Sequence, residues 1–147
     1  MTQYIKNAVS INEFNKTDDY REFIRWALKY ADEIELSYSS DYSAFRESEL
    51  WNEFKDSIAE YGYDDSGTLH LRFRIDHVIN EFLKSKKCLC DYPWSELGFL
   101  EDLSFIRNGE TVLDTVSHEN RVYISPEMLE KYKEFTGRES FGEHKGN

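Results

Sequence analysis

Asp114, Ser117, His118 and Glu119 bring together the residue types used in proton transfer and hydrolysis. On an extended strand Asp114 and His118 share a face, the arrangement a carboxylate needs to orient an imidazole. Ser117 then points away from His118, and no Gly-x-Ser-x-Gly elbow surrounds it. The simpler reading is a hairpin end fixed by hydrogen bonds from His118 and Glu119. The enzyme reading is kept as the alternative: a small hydrolase or metal-dependent enzyme centred on Asp114, His118 and Glu119.

Metal ligands are available in His70, His77, His118, Asp114 and Glu119, but no His-Glu-x-x-His or paired Cys-x-x-Cys motif organises them. His144 lies far along the chain, in a polar stretch. Cys88 and Cys90 form one Cys-x-Cys without a second pair, so two reduced thiols are expected rather than zinc or a disulfide. His70, Arg72 and Arg74 fall on one face of a strand and supply the one concentrated basic face. Such a face suits a phosphate or a carboxylate. In a chain with 29 acidic residues, pairing with neighbouring strands or helices is the simpler use. No Gly-rich phosphate loop is present. The expectation is a non-catalytic protein with no cofactor and no metal.

Charge is the more informative signal. The 147 residues include 18 Lys/Arg and 29 Asp/Glu, a net charge of -11. Phosphate recognition draws on Lys and Arg, so nucleic acid and anionic membrane are disfavoured as partners. A basic protein partner is favoured, because complementary charge speeds encounter. Most of the negative excess lies in the first 67 residues. The expected contact surface is Asp18, Asp19, Glu49, Glu53, Asp56, Glu60, Asp64 and Asp65, with Tyr63 as an aromatic anchor. Trp51 is assigned to the core instead. Sequence does not assign an oligomeric state.

The elements that must position these residues are readable in part. Tyr20, Phe23, Ile24, Ala27, Leu28 and Ala31 follow helical spacing after Thr17-Asp18-Asp19, with Trp26 and Tyr30 at the stripe's edge. Residues 34–38 alternate as a strand. A loop over 39–44 leads to a second helix expected over 46–61, with Leu50, Trp51, Phe54, Ile58 and Tyr61 on one face. Residues 68–75 alternate as a strand, and Asp76 can cap a third helix that ends near Lys84, Lys86 and Lys87. Asn108-Gly109 between apolar segments predicts a hairpin. A third short strand follows over 121–124. Ser125-Pro126 starts the last helix and Gly137 stops it.

This order predicts an α+β fold: a mixed or mostly antiparallel sheet with a C-terminal β-meander and helices packed on it. Residues 1–137 are expected as one globular domain and 138–147 as a polar flexible tail. With 23 aromatic residues, the chain is expected to fold despite its acidity. No apolar run reaches membrane-spanning length, and Met1–Ser10 does not read as a signal peptide. A cytoplasmic location is therefore expected.

The stretch from Leu100 to Glu110, followed by Ser117-His118-Glu119 and a short apolar strand, resembles a motif of small bacterial cytosolic proteins. Some of these resemble immunity proteins of polymorphic toxin systems. The resemblance covers Tyr92 to Ile124 and implies binding and neutralising a cognate toxin, for instance a nuclease, without catalysis. It carries over no catalytic residues. An interaction module with no toxin partner is the other non-enzymatic reading.

Overall fold

A computed structural model describes residues 5–12, 17–141 and 144–145. The chain runs β1 (Val9–Ile11), α1 (Thr17–Tyr30), β2 (Glu33–Tyr38), α2 (Tyr42–Glu47), α3 (Glu49–Phe54), β3 (Ile58–Tyr63) and β4 (Leu69–Arg74). It continues with α4 (His77–Lys84), β5 (Leu100–Arg107), β6 (Glu110–Val116), a 3-10 turn (Ser117–Glu119), β7 (Arg121–Ile124), α5 (Pro126–Thr136) and β8 (His144–Lys145). The strands form one open sheet in the order β3-β4-β2-β5-β6-β7-β1-β8. Every pairing is antiparallel, so the expected α+β class and the C-terminal meander hold. No described helix is long and apolar enough to cross a membrane.

Local chemistry explains several boundaries. Asn108 and Gly109 both take positive φ, 52° and 78°, as a two-residue hairpin turn with right-handed strand twist requires. The Ser125 hydroxyl accepts from Met128 N–H at 3.1 Å, and Pro126 needs no N–H at the first helical position. Gly137 ends α5 in the left-handed region, with its N–H on Lys133 O. Asp76 caps α4 by accepting from Ile79 N–H at 2.9 Å. Asp18 and Asp19 occupy the first turn of α1, while residue 16, which would precede it, lies outside the described residues.

The second helix departs from expectation. Ser48 interrupts it with extended backbone, so α2 and α3 are two short helices and the expected loop over 39–44 is partly helical. The expected last turns become β3. The reason lies in a β-bulge. Ile58 pairs with Phe73 and Tyr61 with Leu71, so two residues three apart on β3 face two residues two apart on β4. The bulge puts Ile58 and Tyr61 on one face at a spacing that imitates a helix. Strand β1 was not anticipated either. After Gly137 the chain returns to the fold. Phe141 is buried against Tyr132 at 5.1 Å between ring centroids, and β8 pairs with β1, where a polar tail was expected.

The main core lies between one face of the sheet and the helices. Ile34, Leu36, Leu69, Leu71, Phe73, Leu103, Phe105 and Leu113 meet Phe23, Ile24, Phe45, Phe54, Ile79 and Met128, all fully or nearly fully buried. Tyr20 donates its hydroxyl to Leu83 O at 2.6 Å and ties α1 to the end of α4. Trp26 stacks on half-buried Tyr30 and packs on Tyr132 of α5. Gly98, at φ 102°, lets the 92–99 loop lie against Tyr38. A Cβ there would sit 2.8 Å from Tyr38 Cζ. The Gly98→Ala variant should lose about 1–3 kcal/mol in chemical denaturation, from strained φ and overpacking together.

Candidate partner-binding surface

Most of the expected contact residues gather at one end of the sheet. Glu49 and Glu53 are exposed on α3, and Asp56 follows in the connection to β3. Glu60 and Tyr63 are exposed on β3, and Asp64-Asp65 form the turn into β4. Asp18 and Asp19 stand apart, on a helix whose contacts run to α4 and α5. Strand β3 is an edge of the sheet, so its outer N–H and C=O groups have no strand partner among the described residues.

Aromatic side chains line this edge. Tyr61 and Tyr63 are each about half exposed, at 49% and 50%. Tyr61 stacks on Tyr42 of α2 with centroids 3.7 Å apart, and the Tyr63 hydroxyl accepts from Tyr42 N–H at 2.9 Å. These contacts hold both rings in place against solvent, which lowers the entropy lost on binding. Trp51 is half-buried against Tyr42 and Phe45, with the Arg46 guanidinium over its ring, consistent with its assignment to the core.

On the other side of α2 and α3 a groove of about 850 Å³ opens between these helices and the 92–99 loop. Leu50, Phe82 and Tyr92 line it, and Trp94 and Leu97 stand at its lip, 70% and 88% exposed. Glu47, Glu49 and Glu96 also border it, against Lys86. Lys86, near the end of α4, lies over the rings of Phe82 and Tyr92. Glu49 thus belongs both to the groove and to the acidic surface, and α2–α3 link the two.

The basic face of β4 is consumed internally. Register places Glu60, Arg72, Glu35, Ser104, Asp114, Tyr123 and Ser10 in one row across seven strands, on the sheet face away from the main core. Arg72 meets Glu35 at 3.4 Å, Glu60 at 3.2 Å and Glu33 at 3.9 Å. Arg74 donates to the carbonyls of Asp56 and Ile58. His70 is buried between two carboxylates, with Nδ1 3.4 Å from Glu35 and Nε2 2.8 Å from Asp64. Asp64 also accepts from Ser66 N–H and Thr68 N–H, which fixes the turn carrying Asp65.

These contacts set the protonation states. The Glu35 carboxylate raises the His70 pKa most; burial opposes it, and Asp64 adds to the rise. Burial pushes Glu35 up, but the hydrogen bond from His70 and the charges of His70 and Arg72 help hold it below the ordinary value. The hydrogen bond from His70, followed by those from Ser66 and Thr68, holds Asp64 far below the usual carboxylate range.

The residues of the enzyme alternative do not assemble. Asp114 accepts from Ser104 Oγ at 2.7 Å, and burial raises its pKa. Ser117 is buried, with its hydroxyl accepting from Asp102 N–H at 2.8 Å. His118 is 70% exposed in the 3-10 turn, beside Glu119 at 3.7 Å. Glu101 and Asp102, which sequence reasoning passed over, also gather at His118. Adjacent strand residues were expected on opposite faces, and no local signal marked the bulge that brings them together. Cys88 and Cys90 form no disulfide. No protein-family model, characterised protein or solved structure matches the chain.

The His70 cluster gives a signed pH dependence. A raised folded-state pKa contributes stability that is complete below the unfolded value near 6.5 and lost as pH rises through the folded value. The unfolding midpoint should therefore fall as pH rises above 6.5, with a smaller slope in His70→Gln. In an NMR titration of the ring, Asp64→Asn should lower the His70 pKa. An unchanged titration would remove Asp64 from this account.

Proposed function

We propose that this protein is an immunity-type binding protein that neutralises a basic toxin domain. The observation that carries the reading is the exposed edge strand β3, with Tyr61 and Tyr63 held outward and acids on both sides. Residues 41–76, which build this end of the sheet, hold nine Asp/Glu against four Lys/Arg. Two of those four, Arg72 and Arg74, are committed to internal contacts. The exposed charge is therefore more negative than the composition alone implies. Such a surface attracts a protein that is itself basic where it holds phosphate, as a nuclease is.

The resemblance over Tyr92–Ile124 supports the same reading, which places the protein in the cytoplasm, where a toxin of this kind acts. Neutralisation needs no catalytic group of its own. Coverage of the toxin's active site or substrate groove suffices. Tyr61 and Tyr63 serve as anchors, and Glu49, Glu53, Asp56, Glu60 and Asp65 steer the encounter.

The test begins with a tagged chain used to capture a basic protein from source cells at low salt. That protein, expressed alone, should arrest growth, and co-expression of this chain should restore it. Raising ionic strength from about 0.01 M to 0.15 M shortens the Debye length from about 30 to 8 Å. The association rate should fall about tenfold or more over that range. A combined Glu49→Lys, Glu53→Lys and Glu60→Lys variant should slow association at low salt, whereas Tyr61→Ala should mainly speed dissociation. Salt-insensitive association would refute acidic steering, and a captured protein without toxicity would refute the immunity role.

A further inference from the structure

The proposed contact surface leaves the middle of the polar sheet face unused. There Glu101, Asp102 and His118 each bring one ligand-type atom within 4.8 Å of the other two. Consecutive strand residues ordinarily point to opposite faces. Here the β2–β5 pairing steps from Glu35–Ser104 to Ser37–Glu101, so Leu36 faces two residues, Asp102 and Leu103. Asp102 takes a φ of 56° in this bulge. The bulge re-aims its side chain and lets two successive carboxylates meet His118.

The donors are held rather than loose. Asp102 Oδ1 accepts from Ser117 N–H at 2.8 Å, while Asp102 N–H donates to Ser117 Oγ at 2.8 Å. Neither bond occupies Oδ2. Glu101 and Asp102 are partly buried in the sheet, and His118 reaches them from the adjoining turn.

Charge provides an independent observation. On the β4 side of this face, Arg72 and His70 compensate Glu33, Glu35, Glu60 and Asp64. On the β5–β6 side, Glu101, Asp102 and Asp114 have no Lys or Arg at ion-pair distance among the described residues. Glu101 and Asp102, both partly buried, thus share one imidazole, while Asp114 is held by Ser104 instead.

We propose that Glu101, Asp102 and His118 form a binding site for a divalent transition-metal ion of the zinc type. An imidazole nitrogen with two carboxylate oxygens suits zinc or manganese, whereas magnesium and calcium favour all-oxygen sites. The Ser117 backbone supplies the outer hydrogen bond that orients Asp102. Three protein donors leave at least one coordination position for water. The ion supplies positive charge to Glu101 and Asp102, which have no Lys or Arg at ion-pair distance among the described residues.

The test is titration of zinc chloride into the chelator-treated full chain by calorimetry near neutral pH. Saturable binding of one ion is expected. His118→Ala and Glu101→Gln should each weaken it about tenfold or more. His77→Ala, which removes an exposed histidine on α4, should leave it unchanged. Zinc should also raise the unfolding temperature of the parent chain and not that of His118→Ala, a variant at an exposed side chain. Absence of saturable binding, or binding that survives both His118→Ala and Glu101→Gln, would overturn the assignment.

Discussion

Glu35 is a carboxylate on an interior strand, 3% exposed, and the sheet around it is arranged to keep it charged. An unpaired buried carboxylate costs several kcal/mol, so its partners must stay in place. Arg72 and His70, two residues apart on one face of β4, provide them. Each reaches onward to a second acid, Glu60 on β3 and Asp64 in the turn beyond it. The edge strand is thus tied to the interior of the sheet by charge as well as by backbone hydrogen bonds. A one-residue slip of β2 would turn Glu35 into the main core and away from Arg72.

This constraint explains how β3 can serve as an exposed edge. On one side its backbone has no strand partner among the described residues, a position that invites nonspecific strand pairing. Glu60 on the strand and Asp65 beside it discourage such pairing with like acidic copies. Tyr61 and Tyr63 lie on the opposite strand face from Glu60, toward α2, where Tyr42 holds them. One short strand therefore presents a negative face and a rigid aromatic face together. The short helices α2 and α3 then join that edge to the apolar groove under Trp94 and Leu97.

Legibility in the sequence followed the range of the interactions. The α1 stripe, the alternation of β4, the Asn108-Gly109 turn, the Ser125 cap and the Gly137 stop were readable because each is decided by residues a few positions apart. The β3 segment was misread because its bulge spaces Ile58 and Tyr61 as a helix would. The bulge itself depends on pairing with β4, which local periodicity does not encode. The acids at the β3 end were legible as a charge excess, but charge alone did not separate them from acids elsewhere. Asp18 and Asp19 carried the same signal and lie elsewhere.

The sequence by itself determined the α+β class, the local turns and caps, and the acidic balance, since these rest on side-chain type and short spacing. Tertiary structure alone decided which charges are spent and which remain. Arg72 and Arg74 were expected to pair with neighbouring strands or helices, but only the fold names the partners: Glu33, Glu35, Glu60 and two backbone carbonyls. Glu101, Asp102 and His118 looked unrelated until a bulge turned Asp102 toward the polar face. Both outcomes depend on contacts between strands far apart in the chain, where electrostatic energy depends on distances of a few ångströms that sequence order does not fix.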